Sequence, residues 1–147
     1  MQQHIFKTIV QPSIAEFSDK GSKFIANAFP LKNADDFKLH LKVVKELHPK
    51  AIHNCFAYRI GIYKNNFRSS DDGEPSGSAG RPILGQIDSK QLTDTLIVVT
   101  RYFGGVLLGV PGLINAYKKS ALLAIENTEI ITVQIESNYR WVLKIHF

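Results

Sequence analysis

LIVVTRYFGGVLLGVPGL, residues 96–113, is the stretch whose reading decides the fold. Residues 96–103 are mostly β-branched or aromatic and form a run of strand length, which predicts a buried β-strand. Four glycines and Pro111 then break the run. From residue 113 to 126 apolar residues return at helical spacing, with Leu113, Tyr117, Ala121 and Leu122 available for packing, which predicts a helix. A strand, a glycine turn and a helix start in that order can aim backbone N–H groups at an anion, because the first turn of a helix has unpaired donors and the positive end of the dipole. The segment has neither the Gly-Lys-Ser/Thr ending of a nucleotide phosphate loop nor a Gly-x-Gly-x-x-Gly, so ATP and NAD are not indicated and no cofactor is expected.

Reading outward toward the N-terminus, residues 4–10 and 23–29 are β-type stretches rich in Ile and Phe, each closed by a proline. A helix follows, with Asn33 as the expected N-cap and Asp35 and Asp36 in its first turn. Phe37, Leu41, Val44 and Leu47 recur on one face until Pro49. Its other face carries Lys38, Lys42 and Lys45, read as a solvated charged surface. Residues 51–63 alternate as a strand. Ile52, Asn54, Phe56, Tyr58, Ile60 and Ile62 lie on an expected core face, and His53, Cys55, Ala57 and Arg59 lie on a face that either packs closely or lines a groove holding His53 and Arg59. Residues 64–82 read as a polar loop, residues 83–92 as a short helix with Pro82 at its first position, and residues 130–147 as two strands around Ser137 and Asn138. The expected class is α+β, with a mixed, mainly antiparallel sheet and helices on one face.

The loop is the second informative segment. Asp71, Asp72 and Glu74 place three carboxylates within four residues, a hard-oxygen set that Mg²⁺ or Ca²⁺ would use. Acidic turns of this kind also cap helices and close side-chain-to-backbone turns, and no metal is assigned. Ser76, Gly77 and Ser78, followed by Ala79 and Gly80, offer backbone N–H groups for an anion-holding nest ahead of the short helix; the alternative is a tight connection needing positive φ. Between Asp94 and Glu126 there is no acidic residue, while Arg101, Lys118 and Lys119 are present. With Tyr102 and Phe103 they can supply charge and stacking to nucleic acid. The opposing reading buries Phe103 and pairs Arg101, like Arg81, with a carboxylate of the acidic loop. No Gly-x-Ser-x-Gly elbow occurs, the five histidines show no zinc spacing, and Cys55 reads as a packed thiol, so no catalytic residue is assigned.

Both segments together resemble the YigZ/IMPACT family. The motif Asp-Asp-Gly-Glu-Pro-Ser-Gly-Ser-Ala-Gly at residues 71–80 is followed by Arg-Tyr-Phe-Gly-Gly at 101–105 and by Gly112-Leu113 leading to Ala116-Tyr117. The likeness extends upstream to Ser22-Lys23-Phe24-Ile25, to His48-Pro49 and Ala51, and to residues 53–58, covering residues 15 to 125 in all. The resemblance implies a ribosomal protein S5 domain 2-like fold over residues 1–128. Bacterial members are similar in carrying a second, ferredoxin-like domain, for which residues 129–147 are a remnant or the first strands. It also implies translational regulation through RNA, the ribosome or a translation factor. Ser78 stands where the family usually has Thr, Leu107 where it often has Lys, and Asn115 where it often has Arg; the last two changes remove positive charge from the glycine segment and argue against a tight phosphate site.

Length and composition are those of an ordinary soluble domain: 147 residues, 44% apolar and 21% charged. One cysteine forms no internal disulfide, and no basic-then-apolar leader opens the chain, so the expected compartment is the cytoplasm. The longest uncharged apolar run is glycine-broken, and no membrane span is expected. Eighteen Lys and Arg against thirteen Asp and Glu give a net charge of +5, which allows a polyanionic partner. Oligomeric state is left open. The function expected is that of an RNA- or ribosome-associated translation regulator. The competing expectation is an enzyme acting on a small phosphorylated substrate through the acidic and glycine-rich loops. On either reading the candidate ligand- or nucleic-acid-binding residues are His53, Arg59, Asp71, Asp72, Glu74, Ser76, Gly77, Ser78, Arg81, Arg101, Tyr102, Gly104, Gly105, Lys118 and Lys119.

Overall fold

The computed structural model describes residues 3–136 and 142–146. The stretch from residue 96 forms most of strand β6 (Thr95–Tyr102), which lies at the centre of a five-stranded sheet. Its residues 95–101 are all buried, as a run of Leu, Ile and Val demands when both faces of a strand are covered. The other strands are β2 (Ser13–Asp19), β3 (Ser22–Pro30), β4 (His53–Ile60) and β5 (Asn66–Ser70), in the order β2-β3-β6-β4-β5, and every neighbouring pair is antiparallel. A second sheet takes β1 (Gln3–Ile9), β7 (Ile130–Glu136) and β8 (Val142–His146) in the order β1-β7-β8, also antiparallel. The expected α+β class and antiparallel sheet are those observed. The turn expected at Ser137 and Asn138 lies outside the described residues.

Helices on one face only is an expectation the structure corrects. Helices α2 (Gly80–Ser89) and α3 (Gly109–Glu126) cover one face of the large sheet, while α1 (Asp36–Leu47) covers the other. The reason lies in the strands, which are apolar on both sides. Cys55, Ala57, Ile97 and Val99 meet Ile83, Ile87, Ala116 and Tyr117, whereas Phe56, Tyr58, Leu96 and Val98 meet Phe37 and Val44. Small residues dominate where α3 packs, including Ala26 and Ala28 of β3, and let that helix approach closely.

Several local expectations also shift. Asn33 accepts the Asp36 amide at 3.2 Å, and α1 begins at Asp36. Leu47 of α1 is exposed rather than packed, and so is Ile52, a residue of the expected core face. Helix α2 begins at Gly80, so Pro82 is its third residue, and α3 begins at Gly109, with Pro111 in the first turn where no N–H donor is needed. Among the described residues no helix is long and apolar enough to cross a membrane.

Candidate functional site

The acidic loop folds back over the start of β4. The Asp71 carboxylate accepts the backbone amides of Gly77 at 3.0 Å, Ala79 at 3.2 Å and Gly80 at 2.9 Å, closing the loop and capping α2 with one side chain. Burial works to raise its pKa, but the three N–H donors and the nearby Arg81 charge outweigh that and hold it below the ordinary carboxylate value. Asp72 accepts the Asn54 amide at 2.7 Å. Gly80 is required by the close approach of β5: a Cβ there would lie 2.8 Å from the Ser70 nitrogen. Ser78 is buried and donates its hydroxyl to the Pro75 carbonyl at 2.6 Å, while Ser76 is exposed. Two of the three carboxylates are therefore engaged by backbone amides. Among the described residues no group of three or more His, Cys, Asp or Glu side chains is placed to hold a metal ion.

Glu74 joins the two motifs. It is only 8% exposed, and both of its oxygens accept from Nη1 of Arg101 at 2.9 Å. The Tyr117 hydroxyl of α3 donates to the same carboxylate, and His53 Nε2 lies 3.4 Å from Oε1. The other ring nitrogen of His53 is 2.7 Å from the Asp72 carbonyl, which can only accept, so Nδ1 carries the proton. Strands β4 and β6 set Arg101 opposite His53 in register, and α3 brings Tyr117 over the pair. Arg101 is 6% exposed, its guanidinium lies between the Phe24 and Phe103 rings at 5.8 and 5.7 Å, and its Nε is buried with no hydrogen-bond partner. Cys55 donates to the Asp71 carbonyl at 3.1 Å and approaches the Tyr117 hydroxyl at 3.4 Å. Burial pushes the pKa of both Cys55 and Tyr117 well up, so thiol and phenol stay protonated.

The glycine turn is exposed. Gly104 passes directly over the β2–β3 hairpin, where a Cβ would fall 2.0 Å from the Gly21 carbonyl carbon, and its amide donates to Ser22 Oγ at 3.1 Å. Gly105 adopts φ +86° in open space. Phe103, just before the turn, is 47% exposed, and Val106, Leu107, Val110 and Ile114 are exposed beside it. Of the reading that buries Phe103 and pairs Arg101 with the acidic loop, the pairing is present, whereas the Phe103 ring is about half exposed rather than buried. Lys118 and Lys119 are exposed on α3, and Lys119 Nζ stands 5.9 Å from the Phe17 ring.

Two candidates sit elsewhere. Arg59 occupies the far end of β4, in register with Thr95 rather than Arg101, and forms a bidentate pair with Asp88 of α2 at 2.7 and 3.0 Å. The groove expected to hold both His53 and Arg59 is not formed, because Cys55 and Ala57 between them are covered by the helices. Tyr102 projects to the α1 face, opposite Arg101, and its hydroxyl meets His48 Nδ1 at 2.6 Å. Arg81 is exposed and influences Asp71 through space. Sequence reasoning left Tyr117 and Phe103 off the candidate set. The Tyr-helix motif contained the signal for the first, and the glycines flanking the second indicated an exposed turn.

Comparison with known proteins agrees with these motifs. The family model described as Impact N-terminal domain matches residues 20–125. The Bacillus subtilis protein named IMPACT family member YvyE is 34% identical over 148 residues, covering 97% of this chain and 68% of that protein. Escherichia coli IMPACT family member YigZ is 38% identical over 100 residues, covering 67% of this chain and 49% of its own length. A crystal structure of a hypothetical protein superposes with a TM-score of 0.84 at 30% identity, covering 88% of this chain and 64% of that one. The chain thus spans from 49% to 68% of the length of these relatives.

Proposed function

This chain belongs to the IMPACT family, and from that premise we propose that it is a non-catalytic, RNA-binding component of translational regulation, acting in the cytoplasm through its glycine-turn face. One observation supports the reading above the others. The dense titratable cluster among the described residues is turned inward, with Glu74 engaged by Arg101 and Tyr117 and with His53 beside it, while an aromatic ring and two lysines are turned outward. An enzyme acting on a phosphorylated substrate would need the carboxylate and guanidinium to meet a ligand, and here they meet each other.

On the outer surface, Phe103 offers a ring face to an unstacked base. Ile114 and Lys118 stand one helical turn apart on α3, so a strand leaving Phe103 along that helix meets aliphatic surface first and ammonium charge next. Such an interface suits single-stranded RNA held by stacking and a few phosphate contacts. Assignment of residues 129–147 to a second, ferredoxin-like unit belongs to the same proposal; the pairing of β7 with β1 then makes the first strand common to both units.

Ultraviolet crosslinking of the folded protein to single-stranded oligouridine, followed by mapping of the adduct, tests the proposal. Crosslinks are expected at Phe103, and Phe103→Ser should remove them and weaken binding. Crosslinks confined to segments away from residues 103–119, or affinity unchanged by Phe103→Ser, would overturn it.

A further inference from the structure

Helix α1 leaves one corner of the sheet open, where β2, β3 and the end of β6 meet its C-terminus. A hollow of about 430 Å³ lies there, lined by Glu16 of the edge strand β2, Gly21 of the hairpin, Lys23 and Ile25 of β3, His48 and Tyr102. Strand register accounts for it. Lys23 stands directly across from Tyr102 and Ile25 directly across from Glu16, so all four side chains rise from one face of the sheet. His48 Nδ1 and the Tyr102 hydroxyl are 2.6 Å apart and their rings meet edge to face at 5.6 Å, which holds both rings in place. Lys23 Nζ lies 4.0 Å from Glu16 Oε1, and both side chains are about half exposed, so an ammonium donor and a carboxylate acceptor stand side by side within reach of a third group. The hollow adjoins the glycine turn: Gly104 passes over Gly21, and Phe103 follows Tyr102 in the chain.

We propose that this hollow is a base-specific subsite of the RNA-binding face, taking an unpaired guanine next along the strand from the base stacked on Phe103. The inference rests on the RNA reading above and names a base that this RNA carries. A hollow of this size accepts a nucleobase, and Ile25 with the Tyr102 and His48 rings gives a flat base apolar and aromatic walls. The polar pair selects the base. Guanine presents two adjacent donors on one edge, N1–H and the N2 amine, with the O6 acceptor beside them; a carboxylate takes both donors while a neighbouring ammonium takes O6. Glu16 and Lys23 are such a neighbouring pair. Uracil has carbonyl oxygens on both sides of its one N–H, and adenine and cytosine each set an acceptor nitrogen beside their amine, so each of these turns an acceptor toward the carboxylate. A bare phosphate or a phospholipid headgroup would meet the Glu16 charge. Because Lys23 is directed at a base, the subsite adds no phosphate contact and leaves the salt dependence of binding as it is.

Fluorescence anisotropy of the full chain is measured with labelled oligouridine in which a single internal position is uridine, guanosine, adenosine, cytidine or inosine. Guanosine should bind about five- to tenfold more tightly than uridine, the gain from one two-point base contact. Inosine, which lacks the N2 amine, should lose most of that gain. Glu16→Gln and, separately, Lys23→Met should bring the ratio of guanosine to uridine affinity close to unity. The ratio is taken within each protein, so a partial loss of fold does not mimic the result, and the inosine comparison needs no variant. Phe103→Ser should weaken both oligonucleotides. If it does so while all bases bind equally, or while the guanosine preference survives Glu16→Gln and Lys23→Met, the guanine subsite is overturned and the RNA reading stands. If no oligonucleotide binds, both are overturned. Guanosine monophosphate that binds as tightly as the guanosine-bearing oligonucleotide, indifferent to Phe103→Ser, would assign the hollow to a free nucleotide and overturn the strand subsite.

Discussion

Glu74 is the residue on which the two sequence motifs converge. Its pairing with Arg101 takes place away from water, where the attraction is strong but both ions have lost hydration, so removing one partner leaves the other charged and uncompensated. Arg101→Ala and Glu74→Ala are each expected to lower unfolding free energy by about 3–5 kcal/mol in urea titrations. The double variant should cost less than their sum, because the second change removes the orphaned charge. Strict additivity would mean that the pair is not coupled. A second expectation concerns Cys55. Burial raises its thiol pKa, with added repulsion from the surrounding carboxylates, so iodoacetamide at mildly alkaline pH should alkylate it only after unfolding, and Cys55→Ala should leave RNA affinity within a few-fold. Rapid alkylation of the folded chain would show an activated thiol instead. That Arg101 takes an acidic-loop partner was legible from charge alone. Which carboxylate it takes was not, because Asp71 and Asp72 are engaged by amides whose positions only the folded loop defines.

Among the elements, the loop before α2 depends on Asp71 as a capping side chain. Asp71→Ala should cost about 0.5–2 kcal/mol, the range for loss of an N-terminal cap. The pH dependence has a definite sign. The folded carboxyl is held below its ordinary value of 3.8, so its stabilisation is complete above that value and is lost as pH falls through the lower folded value. Unfolding free energies of the native chain and Asp71→Asn should therefore converge across that acid range; curves that stay parallel would contradict the account. Sequence reading recovered the strongly periodic elements β1, β3, β4, β6, α1 and α3, the two strands of the last segment and, with shifted bounds, α2. Strand β2 escaped because it is an edge strand whose Ser, Glu and Asp residues mask the alternation at Ala15 and Phe17. The two-residue turn of Lys20 and Gly21, both at positive φ, joins it to β3. Strand β5 escaped for a related reason: its five residues are polar or exposed and are held by pairing to β4 rather than by burial. The second face of β4 could be read as groove or as packing, and α2 and α3 decide for packing.

At the scale of the whole molecule, an interior electrostatic network of Glu74, Arg101 and Tyr117 joins the two loops, and the glycine-turn face outside it is the proposed binding surface. With Arg101 engaged by Glu74, the cations proposed to meet phosphates beside the glycine turn are Lys118 and Lys119. Leu107 and Asn115, both exposed and uncharged on this segment, add no cation to it. The most direct measurement is the affinity of the folded chain for labelled single-stranded oligouridine as a function of salt. Two phosphate contacts at roughly −0.7 each predict a slope of log K against log salt of about −1.4. Lys118→Glu with Lys119→Glu should flatten that slope and weaken binding. Absence of binding at low salt with the protein folded, or a slope indifferent to the Lys118 and Lys119 changes, would contradict the claim that this face binds RNA.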